Sequence, residues 1–260
     1  MFMDNVPKSE LNYFDYRFFY GTEAWDLAEA CRDNDTLRIM KLLKETGINV
    51  NFQEPIHGYT VLHSAIDNKD VKVVKVLLRE GADPNLYYTD YGSSQSNAMS
   101  IFGTSPEIYQ LLLNYGGDPN SKWGYNSHSP VLSFWIGQNK EIVMQLLHAG
   151  ANINIDTAEH VMQPIVDAIF HEQMDIALYL LEHGAWYDER TELQDGRTLI
   201  HLLREKTFDI GSEEHQAKMK VVEFLQERGY DYWSYPIPKN TLKRIKKEHP
   251  KDWEEYCKRY

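Results

Sequence analysis

The sequence predicts an all-α solenoid of about six helix-turn-helix units, with a non-repeat segment at either end, and three observations predict it. First, glycines recur at Gly47, Gly81, Gly116, Gly150, Gly184 and Gly229, separated by 34, 35, 34, 34 and 45 residues. Second, each follows an apolar helical run that ends in Leu-Leu, Leu-Leu-Leu or Phe-Leu three or four residues upstream. Third, the stretch from Gly58 to Asn85 shows one whole unit: a turn, a short helical run Val61 to Asn68, a longer amphipathic run Val71 to Arg79, and the closing Gly81-Ala82-Asp83-Pro84-Asn85. Fixed periods of 20 to 50 residues mark stacked repeats, because one such unit cannot bury its apolar faces alone.

The elements follow in chain order. Residues 1–21 hold the aromatic cluster Phe14, Tyr16, Phe18, Phe19 and Tyr20 ahead of the periodic part. They are expected to be an N-terminal cap over the apolar edge of the first unit rather than a ligand-binding aromatic box. Residues 22–234 form the repeats as a single domain. The glycines end each second helix, since a left-handed residue after a helix reverses the chain without a Cβ penalty. Asx residues in the following Asp83-Pro84-Asn85 and Asp118-Pro119-Asn120 can accept backbone N–H bonds, and proline fixes φ. The third unit is the least regular, with Gln95-Ser96-Asn97-Ala98-Met99-Ser100 where a first helix should start. The last unit carries an insertion around 207–216, which either lengthens a helix pair or forms a loop. Residues 235–260 begin with Pro236-Ile237-Pro238, which stops any helix, and are expected to be C-terminal capping helices, with Leu242 and Ile245 on one face.

The residues Thr60-Val61-Leu62-His63-Ser64-Ala65 resemble the Thr-Pro-Leu-His-x-Ala motif of ankyrin repeats, and the spacing is similar to the ankyrin period. Ser129-Pro130-Val131-Leu132, Gln163-Pro164-Ile165-Val166-Asp167-Ala168 and Asp195-Gly196-Arg197-Thr198-Leu199-Ile200-His201 are further versions. The resemblance implies that Thr60, His63, Thr198 and His201 tie turns by hydrogen bonds, and that Gly81, Gly116, Gly150 and Gly184 are structural. It also implies a binding scaffold rather than an enzyme. The chain further resembles small stand-alone bacterial proteins of this kind, some of which are immunity proteins that neutralise a toxin. A scaffold or adaptor in a host regulatory pathway is the alternative, and an enzyme with an unrecognised site the second alternative.

Composition narrows the chemistry. Hydrophobic residues make up 42% and aromatics 13%, enough for a continuous core. No run of 18 apolar residues occurs, and Met1 to Lys8 lacks a basic or apolar leader, so a cytoplasmic address is expected. Cys31 and Cys257 show no metal or redox spacing and are expected to be free thiols. No nucleotide-binding glycine pattern, His-Glu-x-x-His or Gly-x-Ser-x-Gly is present, and no catalytic residue, metal or cofactor is expected. The net charge is -12, yet Pro236 to Tyr260 carries eight Lys or Arg against four Asp or Glu. The rest is therefore strongly acidic, which disfavours nucleic acid and favours a protein partner with a basic surface. No membrane partner is expected, and the chain alone should be a monomer.

Within a stack, turn tips and first helices carry little of the core burden and are free to recognise a partner. The tips pair large aromatics with acids: Tyr87, Tyr88, Asp90 and Tyr91; Trp123 and Tyr125; Asp156 and Glu159; Trp186, Tyr187, Asp188 and Glu189. Tyr and Trp dominate interface hot spots because they bury much area at low entropic cost. These twelve are the candidate partner-binding residues on an acidic, aromatic-rich concave face, with some of the rings expected to pack between tips instead.

Overall fold

The structure is a computed structural model that describes residues 7–90, 94–125, 129–154, 163–188, 193 and 195–260. Its contacts divide it into two compact units, residues 1–134 with 141–151 and residues 135–140 with 152–260.

In the first unit, α1 (Trp25–Arg32) pairs with α2 (Thr36–Glu45), and α3 (Val61–Asp67) with α4 (Val71–Arg79). The apolar stripes of these helices meet in a core that includes Leu27, Ile39, Leu62, Ile66, Val74 and Leu77. The starts of α2 and α5 (Pro106–Asn114) are capped by acidic or hydroxyl side chains, Asp35 accepting from Arg38 N–H and Ser105 from Ile108 N–H. The irregular third unit has only a three-residue 3-10 turn, Ala98–Ser100, in place of a first helix. Asn97 there accepts from Met99 N–H, and its Nδ2 donates to Ser121 Oγ at 3.0 Å.

One feature lies outside the all-α expectation. Two tips are drawn out into an antiparallel sheet in the order β1 (Tyr88–Asp90), β2 (Ser94–Ser96), β3 (Lys122–Tyr125) and β4 (Ser129–Pro130). Tyr88 stands opposite Ser96, Gln95 opposite Gly124, and Trp123 opposite Ser129. Tyr and Thr suit a pleated surface, and the unpaired backbone of a long tip finds its partners in the neighbouring tip.

The N-terminal segment does more than seal an edge. Its 3-10 turn Tyr16–Phe19 packs on α1, with Phe19 fully buried. Phe14 and Phe18, however, reach past α1 to Tyr59, with ring centroids 4.7 and 5.6 Å away.

The first unit also holds most of α6 (Val131–Trp135) and α7 (Lys140–His148), and the second holds α8 (Pro164–Phe170), α9 (Met174–Glu182), α10 (Leu199–Glu205) and α11 (Glu213–Gln226). Trp135 is buried. The sequence insertion is the dock for the C-terminal segment, which forms α12 (Lys239–Glu248) and α13 (Trp253–Cys257). Ile210 packs on the cluster of Ile245, Tyr256 and Tyr260, and Tyr256 donates its hydroxyl hydrogen to the Phe208 carbonyl at 2.7 Å. Ser212 caps α11, accepting from His215 N–H.

Arg204 and Lys218 are buried among the rings of Tyr232 and of this C-terminal segment. The Arg204 guanidinium lies 4.5 Å from the Tyr232 ring centre, and Lys218 Nζ 4.2 Å from that of Tyr260. Tyr260 donates to the Arg204 carbonyl at 3.0 Å and Lys218 to the Lys206 carbonyl at 2.8 Å. Burial holds the Lys218 amine well below its ordinary pKa, and the Arg204 charge lowers it further. Cys31 and Cys257 are free.

Candidate functional site

The turns are built from the closing glycines outward. Gly47, Gly81, Gly116, Gly150, Gly184 and Gly229 all have positive φ, from 71° to 95°. A Cβ built on any of them meets nothing within 4 Å, so conformation and not space selects glycine. Beyond Gly81, Gly116 and Gly150 an Asx side chain folds the turn: Asp83 accepts from Asn85 N–H at 2.8 Å, Asp118 from Asn120 N–H at 2.8 Å, and Asn152 from Asn154 N–H at 3.0 Å.

A clamp then joins one turn to the next. Asn51 donates to the Gly81 carbonyl at 3.0 Å and accepts from Asp83 N–H at 2.8 Å. Asn85 makes the same two bonds to Gly116 (2.9 Å) and Asp118 (2.8 Å), and Asn154 to Gly184 and Trp186, both 2.9 Å. Each clamp satisfies a helix-end carbonyl and a turn N–H with one amide.

The tip at 53–58 has a further support. Glu54 is buried, and its carboxylate accepts from Ile56, His57 and Tyr59 N–H groups at 2.8, 2.6 and 3.3 Å. Gln53 donates to the Tyr87 carbonyl at 2.7 Å, and Thr89 N–H to the His57 carbonyl at 2.7 Å. The turns carrying Ile56 and Tyr87 are thereby bonded to each other.

Thr60 and His63 form a reciprocal capping box: Thr60 N–H donates to His63 Nδ1 at 3.0 Å, and His63 N–H to Thr60 Oγ1 at 3.4 Å. Nδ1 must accept here, which fixes the neutral tautomer with its proton on Nε2. Burial pushes the His63 pKa down to about 3; the Leu86 carbonyl partly offsets this, although Nε2 closes no full hydrogen bond. Thr198 N–H donates likewise to His201 Nδ1 at 3.1 Å.

The predicted contact residues separate. Tyr87 is 40% exposed on its immobilised turn. Tyr88 is a correction: expected at the surface, it is only 4% exposed, because the ring of Phe14 from the N-terminal segment sits edge-on to it at 5.2 Å. Trp123 is half-buried, packed edge-on against Phe134 at 4.7 Å. In the second unit Trp186, Tyr187 and Asp188 are half-buried, and Tyr187 lies 5.7 Å from Tyr230 and 6.1 Å from Phe224. Tyr91, Asp156, Glu159 and Glu189 lie outside the described residues, as do the side chains of Asp90 and Tyr125.

Sequence reasoning missed Ile56, which is 54% exposed in the Pro55-Ile56-His57 turn. Its only sequence signal is a large aliphatic residue between proline and glycine, where a turn normally stays polar. Among the described residues no three His, Cys, Asp or Glu are close enough to hold a metal ion, and no helix is long and apolar enough to cross a membrane. The strongly shifted groups Tyr16, Cys31 and His63 owe their shifts first to burial inside the packing.

Residues 27–88 match the family model described as ankyrin repeats in three copies. The chain is 26% identical over 183 residues to ankyrin repeat protein FPV014 of Fowlpox virus, covering 69% of this chain and 40% of that one. It is 30% identical over 127 residues to human ankyrin repeat and SOCS box protein 6, covering 47% and 30% respectively. The chain thus spans less than half the length of these curated relatives. The ankyrin repeat domain of Bcl-3 superposes with a TM-score of 0.60 at 20% identity, covering 79% of this chain and 86% of that one. An ankyrin repeat domain from Acinetobacter baumannii AYE gives 0.60 at 19%, covering 80% and 100%.

Proposed function

This chain carries ankyrin repeats and folds as an ankyrin-repeat protein, and from that premise we propose that it is a non-enzymatic module that binds another protein through the tips of its turns. The observation that carries the reading is Tyr87, a large exposed aromatic on a turn fixed by Gln53 and the neighbouring sheet. An exposed ring on an immobile backbone loses little entropy on binding, which is the property of a hot spot. Ile56, on the adjoining turn, extends the apolar surface.

The partner in this reading has a basic surface. Residues 1–235 carry all of the acidic excess, and complementary charge raises association rates. A toxin neutralised by an immunity protein would fit that description. A second reading, an adaptor in a host pathway, is favoured by the viral and human relatives.

The test is capture by the immobilised full chain from the native host, with the protein identified by mass spectrometry. The double change Tyr87→Ala with Ile56→Asp should reduce binding at least tenfold while helicity is unchanged. Raising salt from low to physiological ionic strength should slow association. Retention of full affinity by the folded double variant would place the interface elsewhere.

A further inference from the structure

We propose that Tyr59, His63 and Tyr88 form a socket for one aromatic side chain of a partner segment, and that Phe14 fills this socket in cis. The inference rests on the reading of the chain as a protein-binding module, but on other residues than the tip surface.

The socket is built without help from its occupant. Tyr59 N–H is held by Glu54, His63 by its capping box with Thr60, and the strand carrying Tyr88 by the bond from Thr89 N–H to the His57 carbonyl. Three rings from two backbone segments, the turn and helix start carrying Tyr59 and His63 and the strand carrying Tyr88, surround one point: Phe14 has centroids 4.7 Å from Tyr59, 5.2 Å from Tyr88 and 6.4 Å from His63. The Tyr88 contact is edge-on and the other two tilted, the geometries that aromatic quadrupoles favour. A preorganised cage of this kind selects a planar ring by shape and by ring edges.

The occupant, by contrast, is held under strain. Phe14 has φ of 57°, a left-handed conformation that a bulky non-glycine residue rarely adopts, so the ring's seat is holding the backbone and not the reverse. The backbone bonds around it close locally, Asp15 N–H to the Asn12 carbonyl and Phe18 N–H to the Asp15 carbonyl. Asp15 and Arg17 also pair with each other, at 2.6 Å. A surface pocket, lined by Asn12 to Arg17 on one side and Arg32, Asp67 and Asn68 on the other, runs beside the segment. A partner that offers a Phe or Tyr ring from an unstrained turn therefore competes with Phe14 on favourable terms, while the 3-10 turn Tyr16–Phe19 stays packed on α1.

The probe is a fluorescent peptide with the sequence of residues 11–18, titrated against the full chain and its Phe14→Ala variant. The variant should bind at least tenfold more tightly than the wild type, and a peptide with Ala in place of its own Phe14 equivalent should not bind. Hydrogen exchange of the wild type supplies an independent measurement that holds even if the variant does not fold. The Asp15 amide should exchange through a local opening insensitive to low urea, while α3 amides exchange through global unfolding. Equal binding by a folded variant and the wild type, or exchange of the Asp15 amide only on global unfolding, would overturn the socket. Because Tyr87→Ala with Ile56→Asp leaves the socket untouched, peptide binding should survive that change, which separates failure of this inference from failure of the tip surface.

Discussion

At the scale of single residues, two glycines that look alike in the sequence have different physical reasons. Gly184 has φ of 92° and open space around its missing Cβ, so Gly184→Ala should cost about 1 kcal/mol through backbone conformation alone. Gly117 follows the closing Gly116, and a Cβ there would stand 2.6 Å from Met99 Sδ and 2.8 Å from the Leu112 carbonyl oxygen. The thioether can move but the helix-end carbonyl cannot, so Gly117→Ala should cost about 2 kcal/mol through overpacking. Urea unfolding of both variants checks the order, and a smaller loss at Gly117 would show that the turn relaxes. The closing glycines were legible from their spacing. Gly117 was not, because nothing in the local sequence says that Met99 returns to it.

At the scale of elements, the turn inside each helix pair shows a periodicity hidden from the sequence. Asn34, Lys69, Gly103, Gly137 and Glu172 all have positive φ, from 56° to 88°, at separations of 34 or 35 residues. Three of the five are not glycine, so a search for glycines passes over the series. The asparagine clamps have the opposite character: Asn51, Asn85 and Asn154 stand at regular positions, yet their partners lie 30 to 33 residues on. Asn85→Ala would remove the partners of the Gly116 carbonyl and the Asp118 N–H together, with an expected loss of about 1 kcal/mol. Faster amide exchange at Asp118, with α4 unaffected, is the signature that separates a lost clamp from general destabilisation.

At the scale of the whole molecule, each compact unit buries a base whose charged form is disfavoured. His63 has its pKa pushed down to about 3, against 6.5 when unfolded, so between these values the unfolded chain binds a proton that the folded chain refuses. Stability should fall as pH drops from 6.5 toward 3. Lys218 acts with the same sign in the alkaline range: its folded pKa is depressed below 10.5, and its contribution to stability rises with pH up to the unfolded value. Lys218→Met, which keeps the volume and removes the charge, should flatten the alkaline part of the stability profile with little loss at neutral pH. A profile unchanged by Lys218→Met would mean that the amine finds compensation among the Tyr232 and Tyr260 rings.

The sequence by itself determined the repeat period, most of the helix pairs and the closing glycines. All of these are local, set by spacings within a few residues or by a repeating pattern of apolar positions. Only the tertiary structure decided which tip aromatics are surface and which are core. Tyr87 and Tyr88 are neighbours of one chemical type, and the difference between them comes from Phe14, more than 70 residues away in the chain. The same holds for the insertion near residue 210, which in isolation reads either as a lengthened helix pair or as a loop and becomes a dock once Tyr256 and Tyr260 return to it. Burial is a property of what comes back to cover a residue, and no local pattern encodes that return.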